Sequence, residues 1–73
     1  MVKLELFQKG DVYIDYPFED KKYRFDKASN KLFVRCYGKR EVEIDQSNEH
    51  FNEAIQAGKE ITKEQYLSDE AVP

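Results

Sequence analysis

Apolar and polar residues alternate along roughly the first 45 positions of the chain, in short runs that are separated by turn-like residues. This period of two is typical of β-strands that bury one face. It predicts five strands. Their expected inward-facing residues are, in order, Val2, Leu4 and Leu6; Val12, Ile14 and Tyr16; Tyr23 and Phe25; Leu32, Val34 and Cys36; and Val42 and Ile44.

The residues between these runs predict tight turns. Gln8–Gly10 has the length of a three-residue hairpin loop, in which Gly10 takes the left-handed position. Pro17 ends the second strand because proline cannot donate to a ladder. Lys27–Asn30 predicts a four-residue loop, and Asn30 tolerates a left-handed backbone. The first four strands therefore follow one another as hairpins.

The loop between the fourth and fifth strands must have an odd number of residues. A two-residue loop at Gly38-Lys39 would set the apolar Val34 opposite Glu43, and a strand with one buried face does not tolerate that shift. A three-residue loop instead pairs Val34 with Ile44 or Val42. For the second and third strands we expect Tyr16 to face Tyr23.

The hydrophobic period changes to that of a helix after Asp45. Phe51, Ala54 and Ile55 recur at helical spacing, which predicts a helix over Ser47–Gly58 that is capped by Ser47 or Asn48 and packs on the sheet.

A second, shorter helix follows. Thr62 and Gln65 have the spacing of a capping box, and Ile61 stands where it can contact Tyr66 as a hydrophobic staple. We expect residues 1–67 to form one domain and residues 68–73 to be a disordered tail.

These elements predict an α+β fold: a curled antiparallel β-meander of four to five strands, followed by a packed helix and a short second helix. A small SH3-like barrel with a helical appendage is the alternative. Which sheet face the first helix covers stays open at this point.

The composition fits a folded, soluble domain. Ten of the 73 residues are aromatic, whereas disordered chains are poor in aromatic residues. Cys36 is the single cysteine, so the chain has no internal disulfide, in agreement with a reducing compartment. No apolar run approaches the roughly 18 residues of a membrane span, and we expect a cytoplasmic protein.

The sequence offers little catalytic equipment. His50, the single histidine, lies in a polar stretch of the predicted helix and is expected to be solvated. Glu41, Glu43 and Asp45 share one strand face, but residues two apart in a strand are separated by nearly 7 Å, too far to chelate one ion together. We expect no enzyme activity, no cofactor and no metal site.

Charge is segregated along the chain. Residues 21–40 contain eight basic residues and one acidic residue, whereas residues 41–73 contain two basic and nine acidic ones. Pairing between strands should neutralise much of the basic segment, since opposite charges on adjacent strands attract. Lys22 and Arg35, however, are predicted to face each other as like charges. This predicts an anion-facing basic corner made of Lys21, Lys22, Arg35, Tyr37, Lys39 and Arg40.

Three functions are compatible with this pattern. The first is a non-catalytic protein-interaction module, of the accessory or inhibitor type, whose partner is another protein. The second is single-stranded nucleic-acid binding, in which bases stack on aromatic rings and phosphates meet cations. The residues that would carry it are Lys22, Arg24, Phe33, Arg35 and Tyr37.

The third function is an acidic mimic that binds a basic protein through Glu49, Glu53 and Glu64. The net charge of −3 disfavours nucleic acid as the partner. Unpaired sheet edges also recruit partners, so the protein is expected to be a monomer or an edge-strand homodimer. Whether the acidic C-terminal region covers the basic corner stays open.

Overall fold

Four consecutive strands form an antiparallel meander, and a fifth strand from later in the chain joins its margin. The structure is a computed structural model, and it describes residues 5–68. Its elements are α1 (Leu6–Lys9), β1 (Val12–Tyr16), a one-turn 3₁₀ helix (Pro17–Glu19), β2 (Lys21–Asp26), β3 (Lys31–Cys36), β4 (Val42–Ile44), α2 (Glu49–Ala57), β5 (Lys59–Glu60) and α3 (Lys63–Leu67).

The predicted α+β class is confirmed. The strand order across the sheet is β4-β3-β2-β1-β5, and every pairing is antiparallel. Within residues 5–68 no pairing joins β4 to β5, so the sheet is open and the SH3-like barrel is not the fold. None of the described helices is long and apolar enough to cross a membrane.

The predicted first strand is wrong in its described part. Leu6–Lys9 forms α1, and Gly10 is extended at φ 168° instead of left-handed; Val2 and Leu4 lie outside the described residues. A helical turn lets the neighbouring Leu6 and Phe7 both face the core, whereas a strand would send them to opposite faces. The Phe7 ring contacts the rings of Phe25 and Phe51 edge-on, at centroid distances of 5.4 and 5.9 Å.

Strand β5 occupies the sheet margin where the first strand was expected, beside β1. Gly58, directly before β5, allows this close approach. A Cβ at Gly58 would lie 2.5 Å from the carbonyl oxygen of Ala54 and 2.8 Å from that of Asp15. The helix end and the strand can therefore pack together only if position 58 has no side chain.

The register is predicted correctly at one end of the meander and incorrectly at the other. Val34 lies opposite Val42, which confirms the odd loop, and Asn30 is left-handed at φ 58°. Tyr16, however, lies opposite Lys21 and not opposite Tyr23. The reason is the compact 3₁₀ turn at Pro17–Glu19, which closes the hairpin two residues earlier than expected on the β2 side.

Helix α2 packs on the sheet, as predicted, and the face that it covers is the apolar one. The Asn48 side chain caps it by accepting hydrogen bonds from the backbone N–H groups of His50 and Phe51. Phe51 and Ala54 belong to the buried core. The other core members come from the sheet, and they are Val12, Ile14, Tyr16, Tyr23, Phe25 and Leu32.

Two residues that were expected in the core are exposed. Val42 is 62% exposed, because the three-residue β4 is an edge strand. Cys36 is also exposed; it lies at the end of β3, beyond the residues that pair with β4.

Helix α3 begins with the predicted capping box. The Thr62 hydroxyl accepts from the Gln65 N–H at 3.1 Å, and the Gln65 side chain accepts from the Thr62 N–H at 2.9 Å. Ile61 and Tyr66 are both buried. The tail predicted for residues 68–73 lies, apart from Ser68, outside the described residues.

Candidate functional site

Helix α3 packs on the sheet face opposite to α2, and it does so over the basic segment. Side chains alternate along a strand, so the β1 residues Tyr13 and Asp15 point to this second face. The ring of Tyr66 from α3 lies 5.4 Å from that of Tyr13, and Tyr66 is only 1% exposed. The C-terminal region thus covers part of the basic corner.

Lys22 lies beneath α3 and is fully buried, at 0% exposure. Its ammonium group donates to the main-chain carbonyls of Gln65 at 2.6 Å and Ser68 at 2.8 Å. The last carbonyls of a helix lack intrahelical partners and carry the negative end of the helix dipole. Lys22 therefore attaches the C-terminal end of α3 to the sheet.

A buried carboxylate accompanies this buried cation. Asp15 lies opposite Lys22 in the sheet and is also 0% exposed. The Tyr37 hydroxyl donates to Asp15 Oδ1 at 2.6 Å, and Lys22 Nζ lies 5.3 Å from the centre of the Tyr37 ring. Burial is the larger cause, and the hydrogen bond to Asp15 the second, of a pKa of Tyr37 that lies well above its usual range. Tyr37 is therefore neutral and serves as a hydrogen-bond donor.

A second polar cluster joins the sheet, the β3–β4 connection and α3. Arg24 donates through two nitrogens to the carboxylate of Glu41, at 2.7 and 3.2 Å. The Tyr66 hydroxyl donates to the same carboxylate at 2.9 Å. Arg24 also stacks on Phe33, with 4.2 Å between the guanidinium carbon and the ring centre. The Glu41 carboxylate thus links the β3–β4 connection both to the sheet and to α3.

The titration behaviour of this cluster follows from its hydrogen bonds. The donation from Arg24 lowers the pKa of Glu41; burial opposes that effect, and the Tyr66 hydroxyl adds to it. The pKa of Tyr66 is raised well above its usual range by burial and then by its bond to Glu41. The cluster therefore holds an ionised carboxylate beside a neutral phenol at neutral pH.

Arg35 lines the same region. Its Nη1 donates to the main-chain carbonyl of Tyr66 at 3.3 Å, and its guanidinium carbon lies 5.8 Å from the Tyr66 ring centre. Arg35 lies opposite Lys22 in the sheet, as predicted. Main-chain carbonyls of α3 accept hydrogen bonds from both side chains, and their partial negative charges offset the repulsion between the two cations.

An open groove of about 630 Å³ runs between α3 and the turn that follows β3. We call it the basic groove. The residues that line it are Asp11, Tyr13, Arg24, Arg35, Gly38, Lys39, Arg40, Glu41, Lys63, Tyr66 and Leu67. Gly38 gives the turn its left-handed residue at φ 73°. The turn thereby presents Lys39 and Arg40 at the rim.

The rim of the basic groove is cationic. Lys39 and Arg40 on one side and Lys63 on the other are exposed, and within the described residues no ion pair involves them. Leu67, at 59% exposure, adds an apolar contact beside them. At the floor, in contrast, the positive charge of Arg24 is neutralised by its ion pair with Glu41. The groove can therefore offer its rim cations to an anionic partner surface.

The predicted corner is divided by the structure. Arg35, Lys39 and Arg40 meet at the basic groove, whereas Lys22 is buried under α3 and Tyr37 is bonded to Asp15. Lys21 points to the other sheet face, where it pairs with Glu19 at 3.3 Å.

The residues predicted for the two alternative functions do not form shared exposed surfaces either. Lys22, Arg24 and Tyr37 of the nucleic-acid hypothesis make internal contacts, and Phe33 carries the stacked Arg24. For the acidic mimic, Glu49 and Glu53 lie on α2, whereas Glu64 lies on α3 on the opposite side of the sheet.

Sequence reasoning missed Glu41, Lys63 and Tyr66 as parts of the site. The capping box at Thr62 located α3 correctly, and the expected staple identified Tyr66 as a buried residue. The missing information was the face of the sheet on which α3 packs, because no local pattern encodes it.

Comparisons with known proteins give matches that extend over nearly the whole chain. The family model of the Tis1 immunity protein matches residues 1–70. The immune protein Tis1 of Pseudomonas aeruginosa (strain UCBPP-PA14) is 44% identical over 66 residues, which cover 88% of this chain and 86% of that protein.

A solved structure shares the fold as well. It is a chain from the crystal structure of the complex between the type VI effector Tas1 and its immunity protein. The TM-score is 0.85 and the sequence identity is 40%, over 90% of this chain and 91% of that one. With its sheet, its helices and its sequence matched almost from end to end, this chain belongs to the Tis1 immunity protein family.

Proposed function

We propose that this protein is an immunity protein that binds a type VI effector and blocks its action by contact, without catalysing a reaction itself. The observation that carries the proposal is the similarity to a chain solved in complex with the effector Tas1, at 40% identity over 90% of this chain. A predicted inhibitor-type interaction module agrees with this function.

We propose further that the basic groove is the surface that contacts the effector. Its rim offers three exposed cations, Lys39, Arg40 and Lys63, around the exposed Leu67. Charged rims around apolar contacts accelerate association and select partners, because opposite potentials steer the encounter. The expected counterpart is an acidic surface of the effector.

The hydrogen bonds that connect the parts of the groove support this assignment. Arg24, Glu41 and Tyr66 fix its floor through hydrogen bonds, and Lys22 fixes the end of α3. A pre-organised surface loses less side-chain and loop entropy when it binds. A partner can therefore dock on this groove without first ordering it.

The test is a binding titration with a Tas1-related effector from the same genome. The double variant Lys39→Glu/Arg40→Glu reverses two rim charges that make no ion pair within the described residues. We expect the wild-type protein to form a one-to-one complex and the variant to bind about tenfold more weakly or worse, chiefly through slower association.

The matched control is the double variant Lys9→Glu/Lys27→Glu. It changes the net charge by the same amount at two exposed positions that do not line the basic groove. Control binding close to wild type supports the groove. Equal weakening of both variants, or wild-type binding by the groove variant, would remove the groove from the proposal while leaving the immunity function standing. Absence of any complex with wild type would contradict the function itself.

A further inference from the structure

Three side chains with metal-ligating atoms meet outside the basic groove, at the junction between the 3₁₀ turn and the start of α2. His50 Nδ1 lies 3.5 Å from Glu19 Oε2 and 3.9 Å from Glu53 Oε2. One ligand atom from each of the three residues lies within 4.8 Å of the other two. The arrangement joins two elements that are distant in sequence.

Local structure explains why these atoms converge. His50 and Glu53 are three residues apart on α2, so they lie on the same helix face. The Asn48 cap fixes where that helix begins. Glu19 is brought to them by the 3₁₀ turn, which Pro17 opens and the left-handed Asp20 closes.

The donor set matches the preferences of zinc. Zn²⁺ binds imidazole nitrogen and carboxylate oxygen at about 2.0–2.2 Å in tetrahedral geometry, which places neighbouring ligand atoms about 3.3 Å apart. The two distances from His50 Nδ1 are close to that value. The ligand atoms of Glu19 and Glu53 are known only to lie within 4.8 Å of each other, so the exposed side chains must rotate to bring them together by up to about 1.5 Å. Three protein ligands leave the fourth position for water.

An independent observation at the same place is a buried hydroxyl that lacks a partner. Tyr23 is 1% exposed, and its hydroxyl makes no hydrogen bond within the described residues. Burial and then the charges of Glu19, Tyr16 and Glu53 raise the pKa of Tyr23 to about 12. Both carboxylates are near enough to contribute to this shift, and the Tyr23 ring packs on that of Phe51, the residue after His50, at a centroid distance of 5.8 Å.

A bound ion would supply what this hydroxyl lacks. Metal ligands are commonly oriented by hydrogen bonds from a surrounding shell of side chains. The Tyr23 hydroxyl can donate to a carboxylate drawn towards an ion or to a water bound by that ion. Tyr16 already donates to Glu53 Oε2, at 3.5 Å, and would serve as a second such partner.

We propose that Glu19, His50 and Glu53 form a binding site for a divalent transition-metal ion, with Zn²⁺ as the best match. The ion displaces the ammonium of Lys21, which lies 3.3 Å from Glu19 Oε2. That partly exposed ion pair contributes little to stability, because solvent screens the attraction between its charges. The ion also ties the 3₁₀ turn to α2 and stabilises the folded state, because the unfolded chain lacks the preformed site.

The experiment is a calorimetric titration of ZnCl₂ into untagged, EDTA-treated protein in a Cys36→Ser background. That background removes the exposed thiol as a competing ligand. We expect one zinc per chain with micromolar affinity, and a rise in Tm on zinc addition. His50→Ala and Glu53→Gln should each weaken binding about tenfold or more. Glu49→Gln, an exposed carboxylate of the same helix outside the cluster, serves as the matched control and should leave the affinity unchanged.

A second readout uses Co²⁺ in place of Zn²⁺, because its visible absorption reports tetrahedral coordination by nitrogen and oxygen. Circular dichroism checks that each variant is folded. No zinc binding by the folded wild type, or equal affinities for wild type and His50→Ala, would overturn the proposal. Neither result would affect the proposed effector binding, which is measured with a different partner at a different surface.

Discussion

The ammonium group of Lys22 donates to the main-chain carbonyl of Gln65 at 2.6 Å, across 43 residues of sequence. This contact joins the second strand of the sheet to the last helix. It attaches α3 to the sheet, and it thereby holds one wall of the basic groove in place.

Replacement of Lys22 by Met should destabilise the protein by about 3 kcal/mol. The change removes charged hydrogen bonds to the end of α3 and leaves the buried Asp15 carboxylate without the cation opposite it. Urea unfolding followed by circular dichroism measures the loss. Lys31→Met is the control, because Lys31 is exposed and its ion pair with Glu43 is long, at 3.9 Å; it should cost less than about 1 kcal/mol. Equal losses in the two variants would contradict the structural role of Lys22.

Gly58→Ala should cost about 1–3 kcal/mol, the range for forcing extra atoms into a packed region. The new Cβ would meet two main-chain oxygens, those of Ala54 and Asp15, neither of which can rotate away. Gly10→Ala is the matched control, since a Cβ there meets nothing within 4 Å. Thermal unfolding of both variants tests the prediction, and a Gly58→Ala protein as stable as Gly10→Ala would show that β5 does not require this close approach.

The bond between Arg24 and Glu41 predicts a pH dependence of stability. The pKa of Glu41 is lowered by folding, so the unfolded state binds the proton more tightly. The stabilisation is therefore complete above the ordinary pKa of 4.5 and is lost as pH falls through the lower folded value.

The measurement is the difference in unfolding free energy between wild type and Glu41→Gln. Because Glu41 is partly exposed, we expect this difference to be about 1 kcal/mol at pH 7 and to shrink as pH falls below 4.5. Glu43→Gln is the control at pH 7 and should cost less than Glu41→Gln, because the exposed ion pair of Glu43 with Lys31 is long, at 3.9 Å. A Glu41→Gln difference that stays constant from pH 7 to pH 3 would be inconsistent with the ionised cluster.

The two helix caps allow stability and binding to be separated. Thr62→Ala and Asn48→Ala each remove a cap and should each cost about 1 kcal/mol. Only Thr62 caps α3, which forms a wall of the basic groove. We therefore expect Thr62→Ala, but not Asn48→Ala, to weaken effector binding severalfold in the same titration. The opposite order would place the effector on the α2 side.

The parts of the fold that the sequence predicts are those with a local signal. Asn30, the odd loop near Gly38 and the Thr62 capping box are each specified within a few residues, and the structure contains all three. Leu6–Lys9 was assigned wrongly because three alternating apolar residues do not distinguish a strand from a helical turn that also buries Phe7.

The site was predicted less completely than the fold because it depends on long-range packing. The like-charge pair of Lys22 and Arg35 was found from register, but the carbonyls of α3 that reconcile it come from a segment some 30 to 46 residues away. The same holds for Glu19 and His50, which lie close together in space but belong to the 3₁₀ turn and to α2.

Hydrogen–deuterium exchange on the complex with the Tas1-related effector would locate the surface that binds. We expect slower exchange on binding in residues 37–41 and 62–68, which form the two walls of the basic groove. We expect no change in residues 27–30, the exposed loop at the other end of β2 and β3. Protection confined to residues 17–20 and 49–57, or no complex at micromolar concentrations, would contradict the proposal that the basic groove binds the effector.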